Sequence, residues 1–165
     1  MTEEYRVPKH RIPATVRMAD GAERSVELFA GDHAERHTGP ERPSDLLGRD
    51  ASFFPVEDDE EGFLLLHKPA VSLLTVALEA EVRPEPVDAE DRALVDPEME
   101  GAVRTRVRMV LDDGTEIRGL TAQVLPPGGR RLQDFLNAAD GFVRVRDGDR
   151  VHVVNTDRIA RVAPD

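Results

Sequence analysis

The stretch Val103-Arg-Thr-Arg-Val-Arg-Met-Val-Leu-Asp-Asp-Gly-Thr-Glu-Ile-Arg-Gly-Leu120 sets the reading of the whole chain. Apolar or β-branched residues stand at 103, 105, 107, 109 and 111, and arginines fill 104, 106 and 108. That period of two belongs to a strand with one buried and one wet face. Asp113-Gly114 supplies a tight turn, since both residue types tolerate positive φ. Glu116–Leu120 begins the return strand, and Gly119 within it points to a bulge or a sharp bend.

The phrase has an earlier echo, Thr15-Val-Arg-Met-Ala-Asp-Gly-Ala-Glu-Arg-Ser-Val26. The turns Asp20-Gly21 and Asp113-Gly114 lie 93 residues apart. Asp45-Leu46-Leu47 matches Asp134-Phe135-Leu136 at an offset of 89, and Phe53-Phe54 matches Phe142-Val143 at the same offset. Phe63–Leu74 matches Val151–Val162 at 88. Four landmarks in one order, with the offset shrinking through shorter loops, indicate an internal repeat. Each unit reads as strand, DG turn, strand, loop, one helical turn, strand, turn, strand, tight turn, short strand. In the first unit the strands are expected at Ala14–Ala19, Glu23–Ala30, Ser52–Val56, Phe63–His67 and Val71–Leu78, with Ser44 as the N-cap of the helical turn. Met1–Arg11 reads as a polar lead-in. The expectation is a mostly β chain of two tandem five-stranded small barrels, each with one short helical turn: residues 1–78, an acidic Pro-containing linker at 79–100, and residues 101–165. A short helical turn fits Ala89–Val95 within that linker.

Arg106–Leu120, ending Leu-Asp-Asp-Gly-Thr-Glu-Ile-Arg-Gly-Leu, resembles the first signature of Sm-like proteins, a strand that closes in a DG turn followed by a Gly-x-Leu strand. The match covers fifteen residues and implies an SH3-like or Sm-like barrel. The family's RNA-contacting Asn and Asp-rich loop have no counterpart in Ala122–Arg131, and its second signature is absent near Val151–Ile159. RNA binding is therefore not implied. The layout Asp113-Gly114, Glu116, Gly119, Leu132-Gln-Asp-Phe-Leu-Asn137 and Val154-Asn155 is also similar to that of small bacterial domains, with no activity attached.

Composition narrows the function classes. Net charge is −11, yet residues 101–165 hold 11 arginines against nine acids, whereas residues 79–100 hold nine acids against Arg83 and Arg92. Phosphate contacts dominate nucleic-acid affinity, so an acidic chain makes nucleic acid an unlikely partner. With no Cys, disulfides and thiolate metal sites are excluded. Neither a signal peptide nor a bilayer-length apolar run is evident, and a cytoplasmic protein without a membrane partner is expected. His33 and His37, with Asp32 and Glu35 nearby, have metal-like spacing, but Gly31 and Thr38-Gly39-Pro40 argue against a helix there, so no metal or cofactor is expected. Pro126–Arg131 is Gly-rich and basic but lacks phosphate-loop spacing.

No catalytic constellation emerges, so the chain reads as no enzyme. The outward arginines Arg104, Arg106, Arg108, Arg144 and Arg146 form the candidate partner-binding face, suited to carboxylates or phosphates. These features point to a non-enzymatic protein–protein interaction module, a regulatory adaptor in a bacterial signalling, polarity or motility complex whose partner offers an acidic surface. The alternatives are a regulator of a Ras-like small GTPase, with a flexible acidic 79–100 competing for Mg²⁺ or Lys, and Sm-like oligonucleotide binding. Phe63–Leu66 and Val71–Leu78 carry more apolar side chains than one small barrel needs. The excess suits an interface between the units or in a homodimer.

Overall fold

The DG turns close two hairpins of the same construction in the computed structural model, which describes residues 9–32, 34, 39–48, 50–83, 86, 88–124 and 131–165. In the second, the Leu111 amide donates to the Thr115 carbonyl at 2.8 Å, the Gly114 amide to the Leu111 carbonyl at 2.9 Å, and the Thr115 amide to Asp113 Oδ1 at 2.8 Å. In the first, Met18 to Ala22, Gly21 to Met18 and Ala22 to Asp20 Oδ1 repeat the same three bonds. Both loops are three residues long, with positive φ only at the glycine, +90° at Gly21 and +88° at Gly114. The hairpin turn expected at Asp113-Gly114 is present, with the positive φ at Gly114; Asp113 keeps an ordinary φ and uses its carboxylate to hold the loop.

The protein is mostly β. The first half runs β1 (Lys9–Met18), β2 (Glu23–Gly31), α1 (Pro43–Gly48), β3 (Phe53–Asp58), β4 (Gly62–His67) and β5 (Val71–Ala77). Helices α2 (Leu78–Glu81) and α3 (Ala89–Val95) follow, α3 covering the helical turn expected there. The second half runs β6 (Ala102–Leu111), β7 (Glu116–Val124), α4 (Leu132–Ala138), β8 (Phe142–Asp147), β9 (Arg150–Asn155) and β10 (Ile159–Pro164). Residues 9–11, read as lead-in, belong to β1, whose Ile12 reaches the core. Residues 1–8 lie outside the described residues.

The ten strands form one antiparallel sheet in the order β10-β6-β7-β8-β9-β5-β1-β2-β3-β4. Each half repeats a single order, its last strand beside its first. The expectation of two separately closed barrels is corrected here: hydrogen bonding runs on from one half to the other through β5 and β9, and the sheet does not close. The repeat extends to register. Met18 faces Val71 and Leu111 faces Ile159, and in both pairs of strands the register then slips by one residue. Phe53 faces His67 as Phe142 faces Asn155.

The joining strands serve two cores. Leu74 faces Val153 and Val76 faces Val151, and all four side chains are buried in the core of the first half. One residue along, Leu73 faces Val154, and this pair belongs to the core of the second half. Because alternate side chains leave opposite faces of a strand, the two cores lie on opposite sides of the sheet at the join. Among the described residues no helix is long and apolar enough to cross a membrane.

Candidate functional site

The alternation read in Val103–Leu111 sends Val107, Met109 and Leu111 inward and the arginines outward. Register then assembles one outward face from three strands. Arg106 lies opposite Leu120, and Leu120 opposite Arg146. Directly opposed residues share a face, and so do residues two apart on a strand. The five arginines named from sequence, Arg104, Arg106, Arg108, Arg144 and Arg146, therefore stand together on β6 and β8.

Three of the five hold residues 79–100. Arg104 Nε donates to the Ala93 carbonyl at 2.9 Å, and its Nη2 to the carbonyl of Asp96. Arg146 Nη1 donates to the Leu94 carbonyl at 3.0 Å. Arg144 Nη1 pairs with Glu81 Oε2 at 3.0 Å and with Asp91. Ala93 and Leu94 are buried beneath these contacts. The other two arginines remain open: Arg106 is exposed, and Arg108 makes a long 3.5 Å pair with Glu116 at the surface.

Beneath the face lies an ionic cluster that sequence reasoning missed. Arg42, at the start of α1, reaches Asp45 at 3.0 Å, Asp88 at 3.0 Å and Asp91 at 2.8 Å. Ser44 was expected to cap α1. Instead its amide donates to Glu81 Oε1 at 2.9 Å and its hydroxyl to Glu81 Oε2, while Asp45 accepts from the Arg42 amide at 2.7 Å. Glu81 and Asp91 are fully buried. Asp91 Oδ2 has no hydrogen-bond partner among the described atoms. Four carboxylates thus share two guanidinium groups across α1, α2, α3 and β8.

The environment acts on each charge differently. Burial pushes the Glu81 carboxyl above its ordinary range, despite Arg144 and Ser44. Burial also disfavours the Arg144 charge, yet Glu81 and Asp91 outweigh it and hold the guanidinium above its ordinary value. Arg42 follows suit: its acidic neighbours outweigh burial and raise it. Asp88, nearer the rim, is held low: the Asp91 amide and Arg42 overcome burial. A cleft of about 560 Å³ opens beside the cluster, lined by Arg42, Ser44, Asp88, Phe135, Phe142 and Arg144 among others.

The sequence held one local sign of this arrangement. Asp88-x-x-Asp91 is an N-terminal capping pattern, and Asp88 does cap α3 by accepting from the Asp91 amide at 2.8 Å. Of the histidine cluster, His33, Glu35 and His37 lie outside the described residues, and so does 125–130 of the basic loop. Asp32 pairs with His10. Among the described residues no group of three or more His, Cys, Asp and Glu is placed to hold a metal ion. Comparison with protein-family models, curated proteins and solved structures finds no match.

Proposed function

We propose that the chain is a non-enzymatic protein–protein interaction module whose arginine face takes an acidic segment of a partner. One observation carries the reading: this face already holds an acidic segment in cis, Arg144 through the carboxylates of Glu81 and Asp91, and Arg104 and Arg146 through the main-chain carbonyls of Ala93, Leu94 and Asp96. Arg106 and Arg108 continue the row and stay open to solvent. Guanidinium groups fork onto carboxylates, so an incoming acidic strand or helix finds donors already in line. We read each half as a bent five-stranded SH3-like or Sm-like unit, a reading supported by the repeated strand order and by one core per half.

The GTPase-regulator alternative needs free carboxylates in 79–100. Glu81 and Asp91 are buried against Arg42 and Arg144, which leaves the exposed Glu79, Glu90, Glu98 and Glu100 as the carboxylates that could serve it. The test uses a labelled oligoglutamate peptide and calorimetry. Binding at low salt that weakens as salt rises, and is lost in the Arg106→Glu/Arg108→Glu variant, is the expected result. Full affinity in that variant, or no binding by the native chain, overturns the reading.

A further inference from the structure

Among the described residues, the three large apolar side chains exposed on the surface, Phe53, Phe63 and Leu65 at 54, 63 and 59%, all belong to β3 and β4, the outer end of the sheet. Their counterparts in the repeat are Phe142, Val151 and Val153. None of those is left bare. Val151 and Val153 are fully buried in the core of the first half, and Phe142 packs against the same core. What covers them is the join of β9 to β5.

The opposite end of the sheet shows the matching deficit. Beside β5, Leu46 and Leu47 of α1 are buried, at 2 and 3% exposure, and α1 packs against β8 and α2. Their counterparts beside β10 are Phe135 and Leu136 of α4, which are only partly buried. A groove of about 660 Å³ runs between α4 and β10, floored by Leu132, Leu136, Ile159 and Val162. Each end of the molecule therefore presents half of the join that its middle completes.

We propose that copies of this chain assemble head to tail, the β4 edge of one pairing antiparallel with the β10 edge of the next and laying Phe53, Phe63 and Leu65 over the α4–β10 groove. Transferring the internal register places Val162 opposite Leu65 as Leu74 is opposite Val153, and Arg161 opposite Leu66 as Leu73 is opposite Val154. His67 takes the place of Asn155, whose side-chain amide donates to the Val71 carbonyl at 3.0 Å. A ring nitrogen of His67 is suited to donate in the same way to the Ile159 carbonyl of the next copy. Pro164 takes the place of Val76. It has no amide hydrogen, so the ladder between copies is shorter than the internal one. Every added copy leaves one β4 and one β10 free, so the assembly closes as a ring or extends as a filament.

Mass measured by light scattering and sedimentation, up to concentrations on the order of hundreds of micromolar, tests the proposal. The native chain should exceed the monomer mass in whole multiples. Two variants at exposed positions separate the ends: Phe63→Asp/Leu65→Asp disables β4, and Asn137→Glu/Ala160→Glu disables the groove beside β10. Each variant alone should be monomeric with a native circular dichroism spectrum. An equimolar mixture should give a dimer and nothing larger, because one intact β4 meets one intact β10. A native chain that stays monomeric throughout overturns the proposal. So does either variant that still self-associates, since a β4-to-β4 or β10-to-β10 contact would be operating instead. A mixture that yields no dimer overturns it as well.

Discussion

Gly119 shows how one residue sets the path of a strand. A Cβ built there would stand 2.4 Å from the Arg146 carbonyl oxygen and 2.7 Å from Val145 Cγ1. The backbones of β7 and β8 come too close for any side chain, so the glycine read as a bend marks a close approach. Gly119→Ala must push β8 away from β7, and overpacking of this kind costs about 1–3 kcal/mol. A urea midpoint equal to that of the native chain would contradict the close approach. Asp113 is a second such residue. The Thr115 hydroxyl and amide, and then Arg17, hold its carboxyl down to about 2. The Arg17 contact, 2.9 Å long, links the turn of the second half to β1 of the first. A depressed carboxyl adds stability above its ordinary value of 3.8 and loses it as pH falls towards 2. Asp113→Asn should therefore be the less stable protein at neutral pH, with the two melting curves converging near pH 2. Parallel curves at every pH would rule this linkage out.

Among the elements, the strands and their turns were legible because their signals are local. Period-two alternation and a DG pair span a few residues, and register could be carried from one half to the other by counting. The ionic cluster was not legible. Arg42 and Asp91 are 49 residues apart, and Arg144 and Glu81 are 63 apart, so their meeting depends on how α1, α2 and α3 settle on β8. For the same reason 79–100 read as a loose linker, although α3 buries Ala93 and Leu94. From its spacing with Leu132 and Leu136, Phe135 reads as part of a cap on the second half, as Leu46 and Leu47 cap the first. It is partly buried because the surface that covers Leu46 and Leu47 has no equivalent beside α4. If Arg144 anchors the segment, Arg144→Leu leaves Glu81 with Ser44 alone and Asp91 with Arg42 alone. Removing one member of a buried ionic set typically costs about 3 kcal/mol or more. Hydrogen exchange should speed up first in the amides of α3, before the sheet. Protection of α3 unchanged from the native chain would show that Ala93 and Leu94 hold the segment by themselves.

At the scale of the whole molecule, each of the two cores draws residues from both halves through the joining strands. Residues 9–77 contain both β1 and β5, yet the core of the first half also needs Val82, Leu94, Val151 and Val153. Cutting the chain within 83–87 and keeping only the first part would expose Leu74 and Val76 and leave β5 unpaired on one side. That fragment is expected to be molten or aggregated, whereas the intact chain should unfold in a single transition by both calorimetry and circular dichroism. Two resolved transitions would mean that β5 and β9 separate before either core melts.

The pairing of β5 with β9 also sets a timetable for synthesis. Val76 leaves the ribosome 75 residues ahead of Val151, its partner across the join. At translation speeds of about 5–20 residues per second, the first half waits roughly 4–15 s for the side chains that complete its core. During that wait the apolar β5 is an open edge, the kind of surface that chaperones hold. Stalled nascent chains ending near residue 130, long enough to bring β5 clear of the ribosome, should be cut readily by protease at β5, and chains extended well beyond residue 155 should resist. Equal resistance at both lengths would mean that the first half closes without its late partner.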